Sequence, residues 1–296
     1  MIGKLYSLIA PSTTFSAQLH ARRHRWWVDG QLAQFSRLSG KLEGRSFMEE
    51  HGFKVPKEIG RYSSIDDIPD FSELPSQFVL KPSRGYSAKN VFVVSDGINL
   101  LDGKRYDRKS LVRAVHESYG AQKFSGKFLI EELLINWDNK RGIPVDYKFY
   151  TFGDRIAFIH AIERNSGVNL KANRHWFLKD DWSDLGIKIQ KTQDLQTAPL
   201  PKPDCYDELI DTVRKVGRML NMFMRIDMYA TTRGAVFGEF TPTPHGGKGY
   251  TKEADRWLGS LWRGVEGASV LDYKDFGLDA PRSGLLSWLS ASKARP

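Results

Sequence analysis

The chain has 296 residues, 41% of them hydrophobic and 27% charged, with a formal net charge of +9. That length holds one large α+β domain or two to three lobes sharing an interface, and the composition excludes a long disordered chain. One cysteine, Cys205, excludes an internal disulfide and a cysteine-rich metal site, and no run reaches the roughly 20 apolar residues that cross a bilayer.

Residues 1–10 lack the long apolar core and cleavage site of a signal peptide, so a cytoplasmic location is expected. The positive charge favours anionic partners without choosing among nucleotide, acidic sugar, lipid headgroup and nucleic acid. Arg22, Arg23 and Arg25 beside Trp26 and Trp27 form one local concentration. It reads either as a solvated helix face abutting an aromatic pair, or as a peripheral contact with a membrane surface or with polysaccharide machinery.

Residues 1–40 are rich in helix formers, with Leu32, Phe35 and Leu38 at helical spacing. A further helix runs from Leu42 through Glu49 and stops at Gly52, and Asp66 to Pro75 reads as a linker. The texture then turns to strands. Gln77 to Lys81 and Val91 to Val94 flank a Gly/Ser loop, and Lys127 to Leu134 is a buried strand after a helix over Ser110 to Tyr119. Tyr147 to Phe152 and Arg155 to Ile162 form a hairpin turned at Gly153–Asp154. Tyr206 to Leu220 is an amphipathic helix, Arg225 to Ala230 and Ala235 to Phe240 a second hairpin, and Glu253 to Trp262 a final helix. Strands grouped in antiparallel hairpins, with helices between the groups, predict α+β lobes and not a doubly wound sheet.

Asp227 and Glu239 sit on the two strands of the second hairpin, each among apolar neighbours. An acid there needs compensation. Two facing carboxylates suit a hard cation such as Mg²⁺, and Thr241, on the same strand face as Glu239, adds an oxygen. Pairing with Arg225 or Arg233 across the hairpin is the alternative. Lys81 precedes a small-residue loop containing Ser83, Gly85 and Ser87, which either cradles phosphate through backbone N–H groups or is a solvated turn. Neither a Walker motif nor GxGxxG is present. Asp146 and Lys148 share a strand face, suited to a ribose hydroxyl and a phosphate, or else to a plain ion pair. Glu131 and Glu132 interrupt the buried run that continues into Leu133, so at least one needs a polar partner. Arg164 is a candidate anion ligand. No HExxH or GxSxG element occurs, so zinc and serine chemistry rank low.

The order of these elements resembles the ATP-grasp fold: Phe78–Lys81 with its loop, the hinge-like Phe128–Leu133, Asp146–Phe149 with Gly153–Arg155, and the closing pair Arg225–Asp227 and Gly238–Pro242. Within that superfamily, Leu74–Lys81, Asp146–Phe149 and Phe237–Gly247 resemble the TupA-like family, which is linked to cell-surface polysaccharide and teichuronopeptide synthesis. The resemblance implies two α+β lobes with antiparallel sheets enclosing a nucleotide. A helical segment and linker (1–74) would precede a small lobe (75–132), a large lobe with the metal site (133–262) and a tail (263–296).

It also implies an ATP-dependent, ADP-forming carboxylate–amine ligase working through an acyl phosphate, joining an amino acid to a sugar acid. Lys81, Ser83, Gly85, Ser87, Glu131, Glu132, Leu133, Asp146 and Lys148 would bind ATP. Asp227, Glu239 and Thr241 would hold Mg²⁺, with Mn²⁺ as the alternative ion. Arg164, with Arg225 in reserve, would hold the acyl phosphate or its carboxylate precursor. Phosphoryl transfer to a sugar hydroxyl and non-catalytic binding of an acidic polymer are the competing functions, and no nucleic-acid partner is expected.

Overall fold

Alternating apolar residues build two five-stranded antiparallel sheets in the computed structural model of the chain, which describes residues 14–30, 34–85, 89–120, 126–192 and 198–262. Ser87 and the tail 263–296 of the sequence reading lie outside these residues. The first sheet contains β1 (Glu58–Tyr62), β2 (Gln77–Pro82), β3 (Phe92–Ser95), β4 (Ile98–Asn99) and β5 (Phe128–Glu132), in the order β1-β5-β2-β3-β4. The second contains β6 (Asp146–Phe152), β7 (Arg155–Glu163), β8 (Arg174–Leu178), β9 (Phe223–Thr231) and β10 (Gly234–Thr241), in the order β10-β9-β6-β7-β8. Both expected hairpins are present. Strand β1 lies within the segment 1–74 expected as helix and linker, so the first sheet begins before residue 75, and β8 lies between the first hairpin and α4, where no strand is predicted.

The helices are α1 (Phe15–Arg23), α2 (Lys41–Glu50), α3 (Arg108–Tyr119), α4 (Tyr206–Leu220) and α5 (Lys252–Leu261). Helix α3 starts at Asp107, whose carboxylate accepts the Ser110 N–H at 2.7 Å. Its Leu111 and Val115 cover Phe78, Leu80, Phe128 and Ile130 of the first sheet. The linker expected at Asp66 to Pro75 carries two short 3₁₀ turns, each closed by a capping box.

The second sheet is covered differently on its two faces. Leu209, Val213, Val216 and Leu220 of α4 pack with Tyr147, Phe149, Ile226 and Met228 on one face. On the other, Phe15 and Leu19 of α1 and Ala254 and Leu258 of α5 cover Tyr150, Phe152, Phe158 and Phe223. These helices roof only the apolar half of that face. The remaining half, where the same strands continue into polar residues, is left for the site.

Helix α4 approaches the β6–β7 turn so closely that a Cβ at Gly217 would stand 2.1 Å from the Gly153 carbonyl oxygen. Backbone cannot yield as a flexible side chain does. Gly217→Ala is therefore expected to cost about 1–3 kcal/mol of stability, read as a lower denaturation midpoint in urea; a wild-type midpoint would rule out this approach. No helix among the described residues is long and apolar enough to cross a membrane.

Candidate functional site

Side chains alternate between the faces of a strand, so register decides which residues meet. On β6 the face roofed by α1 and α5 runs Phe152, Tyr150, Lys148, Asp146. Lys148 is paired with His160 of β7 on one side and with Asp227 of β9 on the other, and Asp227 in turn with Glu239 of β10. Arg225 stands opposite Thr241, and His175 of β8 opposite Ile162. Strands β6 and β9 thus pass from a buried aromatic into charge, β7 and β8 from Phe158 and Phe177 into histidine, and the polar side chains form one row across the sheet.

Glu239 reaches this row through a β-bulge. The register slips between Phe237 and Glu239, so Phe237 packs under α4 with Met228 while Glu239 pairs with Asp227. Gly238 occupies the bulge, where a Cβ would come within 3.0 Å of the Tyr229 ring and 3.1 Å of the Asp227 carbonyl oxygen.

The row is knit by ion pairs. Arg225 donates from Nε to Asp227 Oδ1 and from Nη2 to Asp227 Oδ2, both at 2.7 Å, and from Nη2 to Glu239 Oε1 at 3.1 Å. Lys148 Nζ lies 2.5 Å from Asp227 Oδ2 and 2.7 Å from Asp146 Oδ2, and Arg164 Nη2 lies 3.0 Å from the same Asp146 oxygen. Of the two arginines that could have paired with the hairpin acids, Arg225 takes both, while Arg233 bonds to Glu132. The Asp146–Lys148 ion pair is buried rather than superficial.

Burial opposes the charge on Asp146, yet Lys148 and Arg164 outweigh it and hold the carboxyl well below the usual range. Glu239 is also held low: burial acts against its charge, and Arg225, Lys148 and Lys41 prevail. Burial lifts Asp227 above the ordinary range against the pull of Arg225 and Lys148. Because the Asp146 pKa is depressed in the folded state, its contribution to stability is present above the unfolded value near pH 4 and lost as pH falls through the folded value. Asp146→Asn is therefore expected to cost roughly 3–5 kcal/mol at pH 7 and progressively less below pH ~4. A pH-independent difference in unfolding free energy would contradict this.

Across a cleft of about 2120 Å³ the first sheet presents Lys81, Glu131 and Val79. Lys81 Nζ lies 2.5 Å from Glu131 Oε1, and Arg45 of α2 approaches Glu131 Oε2 at 3.9 Å. Glu132 accepts from the Lys57 N–H at 2.7 Å, so both acids have partners. Gly85, Glu132 and Leu133 also line the cleft. Ser83 is not brought there: it is buried, and its hydroxyl accepts the Lys127 N–H at 3.0 Å, latching β2 to the start of β5.

Sequence reasoning missed Lys41, the first residue of α2, whose Nζ lies 3.5 Å from the Gly85 carbonyl oxygen. Burial lowers its pKa, Glu239 raises it and Lys81 lowers it, which ties the lysine to both walls. A cation at a helix N-terminus opposes the macrodipole, and that misplacement was the available signal. His160 and His175, joined by an Nε2···Nδ1 contact of 3.0 Å, also line the cleft. His160 was legible in the alternation of β7, whereas His175 lies on the strand that the reading lacked.

Two carboxylates and a hydroxyl belong to the hard-oxygen class that Mg²⁺ prefers. Among the described residues no group of three His, Cys, Asp or Glu side chains is arranged around a metal position. Asp227 spends both oxygens on Arg225 and Lys148, whereas the Glu239 side chain is 40% exposed to the cleft. The residues fit a cation completed by phosphate oxygens, and do not fit an all-protein cage.

The Arg–Trp cluster is divided by the fold. Arg22 and Trp26 are buried, while Arg23 and Trp27 line the cleft, so the five residues do not form one exposed patch.

Two antiparallel sheets enclosing a cleft, with Lys81 and Glu131 on one wall and a carboxylate-bearing hairpin on the other, define an ATP-grasp architecture. The family model described as TupA-like ATPgrasp matches residues 18–263, and the chain belongs to that family. No curated protein matches it significantly. Among solved structures, a D-alanine–D-alanine ligase from Bacillus anthracis complexed with ATP is similar at 12% identity and a TM-score of 0.44, over 76% of this chain and 63% of that one. The D-alanine–D-alanine ligase from Helicobacter pylori is similar at 16% identity and a TM-score of 0.41, over 71% and 56%. An L-amino acid ligase from Bacillus licheniformis is similar at 14% identity and a TM-score of 0.40, over 72% and 42%. The chain thus spans less than two thirds of the length of these ligases.

Proposed function

We propose that this chain is an ATP-dependent carboxylate–amine ligase that joins an amino acid to a sugar acid in surface-polysaccharide synthesis. The observation that carries the reading is the charge row facing Lys81 and Glu131 across the cleft. Membership of an ATP-grasp family supports it.

Within the row, Lys148, Arg164 and Arg225 are already balanced by Asp146, Asp227 and Glu239. Polyphosphate would add negative charge to a balanced set, so added cations are what the site requires. Lys81 and Lys41 supply part of that charge from the opposite wall. Mg²⁺, or Mn²⁺ in its place, would be held by Asp227, Glu239 and Thr241 and would neutralise charge on the transferring phosphoryl group.

In this reading Lys81 and Lys148 position phosphate oxygens, Glu131, Glu132 and Leu133 lie along the nucleotide, and Arg164 orients the substrate carboxylate. A carboxylate oxygen attacks the γ-phosphorus, and the bond to the ADP oxygen breaks. The amine nitrogen then attacks the acyl carbon; phosphate leaves and the nitrogen loses a proton to solvent. No protein nucleophile is needed. Lys41 and the Gly85 backbone close the site near the phosphates and exclude water that would hydrolyse the acyl phosphate. Dependence on ATP implies a cytoplasmic location.

Hydroxylamine trapping is the test. With ATP, Mg²⁺ and a hexuronic acid, the chain is expected to yield a hydroxamate together with ADP. A stable sugar phosphate with no amine requirement would convert the reading to phosphoryl transfer to a hydroxyl. Salt-dependent binding of an acidic polymer without ADP release would reduce it to a binding module.

A further inference from the structure

The last turn of α1 and the segment after it carry residues that the ligase reading does not use. Arg22 donates from Nη1 to the Phe223 carbonyl oxygen at 2.8 Å and to that of Pro242 at 3.0 Å. Its guanidinium also lies 4.4 Å from the Trp262 ring centroid and 5.1 Å from that of Trp26. This buried arginine rivets a wide π-type turn, His24–Val28, beside the end of β10. Trp26 is buried in turn, and Trp27 meets it edge-on at 5.8 Å.

The two neighbours of this rivet face the cleft. Trp27 is 38% exposed and Arg23 is exposed. Arg23 has no ion-pair partner among the described residues. It leans over the turn following β10, where Gly246 has φ +60° and a Cβ would come within 3.2 Å of Arg23 Nη1. The absence of a side chain makes room for the guanidinium. Beside it, His245 adopts φ +52°, a conformation that costs energy in a non-glycine residue, and its Nε2 lies 2.9 Å from Gln190 Nε2. Burial first, then Arg225 and Lys148, disfavour its protonation, so the ring is neutral at pH 7.

An indole face, an uncompensated guanidinium, a neutral imidazole and an amide form a polar wall with an aromatic platform. The platform suits the C–H face of a sugar ring, and the planar fork of arginine suits a carboxylate. The cleft, at about 2120 Å³, exceeds the roughly 300–1,000 Å³ of a usual small-ligand pocket. It has room for a nucleotide and an extended second substrate.

We propose that Arg23 and Trp27, with His245 and Gln190, form a subsite for an acidic sugar next to the reacting one, so that the carboxylate substrate is an oligouronate rather than a monomer. This rests on the sugar-acid reading above and adds the length of the substrate and the place of its second ring. Arg164 is left to the reacting carboxylate.

Calorimetric titration with galacturonate and trigalacturonate tests it, with MgATP binding measured on the same samples. The wild-type chain is expected to bind the trimer at least tenfold more tightly than the monomer. Arg23→Gln and Trp27→Leu are each expected to remove most of that advantage, with MgATP affinity unchanged. Equal affinity for trimer and monomer, or variants that keep the preference, overturns the subsite. Binding of triglutamate in preference to trigalacturonate overturns the saccharide assignment in favour of an acidic peptide. Failure of the wild-type chain to bind MgATP sinks the ligase reading itself, whereas MgATP binding without a length preference sinks only the subsite.

Discussion

Glu239→Gln is expected to lower ATP turnover by about 10²–10³-fold, equivalent to roughly 2.7–4 kcal/mol of transition-state stabilisation, while leaving the fold intact. The side chain is partly open to the cleft, and Oε1 accepts from Arg225 Nη2 at 3.1 Å, its closer tie, and from Thr241 Oγ1 at 3.4 Å. An amide oxygen can still accept these bonds, so little stability is at stake. What the amide lacks is the negative charge that a hard cation needs. A steady-state ADP-release assay across a range of Mg²⁺ concentrations checks this. The expected pattern is a raised Mg²⁺ requirement together with the fall in rate. A variant with wild-type turnover at low Mg²⁺ would remove Glu239 from the site and, with it, the metal assignment of the hairpin.

Lys148→Met is expected to act in the opposite proportion, with a large loss of stability as well as of activity. Lys148 bridges Asp146 and Asp227 at 2.7 and 2.5 Å, and its side chain is only 9% exposed. Its removal leaves two buried carboxylates short of a cation, a change that costs about 3–5 kcal/mol. For a chain of this size that corresponds to a fall of roughly 10 °C in Tm. Combining it with Asp227→Asn relieves part of the charge imbalance. The double variant is therefore expected to recover stability relative to Lys148→Met and yet remain inactive. Differential scanning calorimetry of the single and double variants measures the coupling. Additive effects on Tm would mean that the two side chains do not share one network.

The two predictions separate because the two residues hold different places in one row. Glu239 stands at its open end on β10, and Lys148 at its closed middle on β6, between strands on both sides. The same contrast applies to the first sheet, where Lys81 and Glu131 neutralise each other at 2.5 Å. In the proposed reaction a phosphate approaching Lys81 would compete with that acid. There, Arg45 near Glu131 Oε2 keeps the hinge carboxylate paired when Lys81 turns to the nucleotide.

Much of this was legible in the amino-acid sequence. Helix α4 matches its apolar spacing residue for residue, and both hairpins fall where alternation predicts them, the first turning at Gly153–Asp154 as expected and the second at Thr232–Arg233, because these signals are local. The same alternation puts Asp146 with Lys148, and Arg225 with Asp227, on shared strand faces. The partners were not legible. That Arg225 serves both hairpin acids while Arg233 reaches Glu132 depends on strand order and register, which no local pattern encodes. Strands β1 and β8 were missed for a related reason: each is an edge strand bonded to one neighbour only and weakly patterned on its own, and the partner of β1, strand β5, is distant in sequence.

Glu239 shows where the division falls. Strict alternation along Ala235, Phe237 and Glu239 would put the acid on the same face as the two apolar residues, under α4. Its place beside Asp227 in the cleft comes from the bulge at Gly238, which adds one residue between them and reverses the alternation. The sequence determined that an acid, a glycine and a hydroxyl would lie together at the end of a hairpin. Only the packing of β10 against β9, with Phe237 drawn under α4 on one face and Tyr229 crowding Gly238 on the other, decided that the acid faces the cleft.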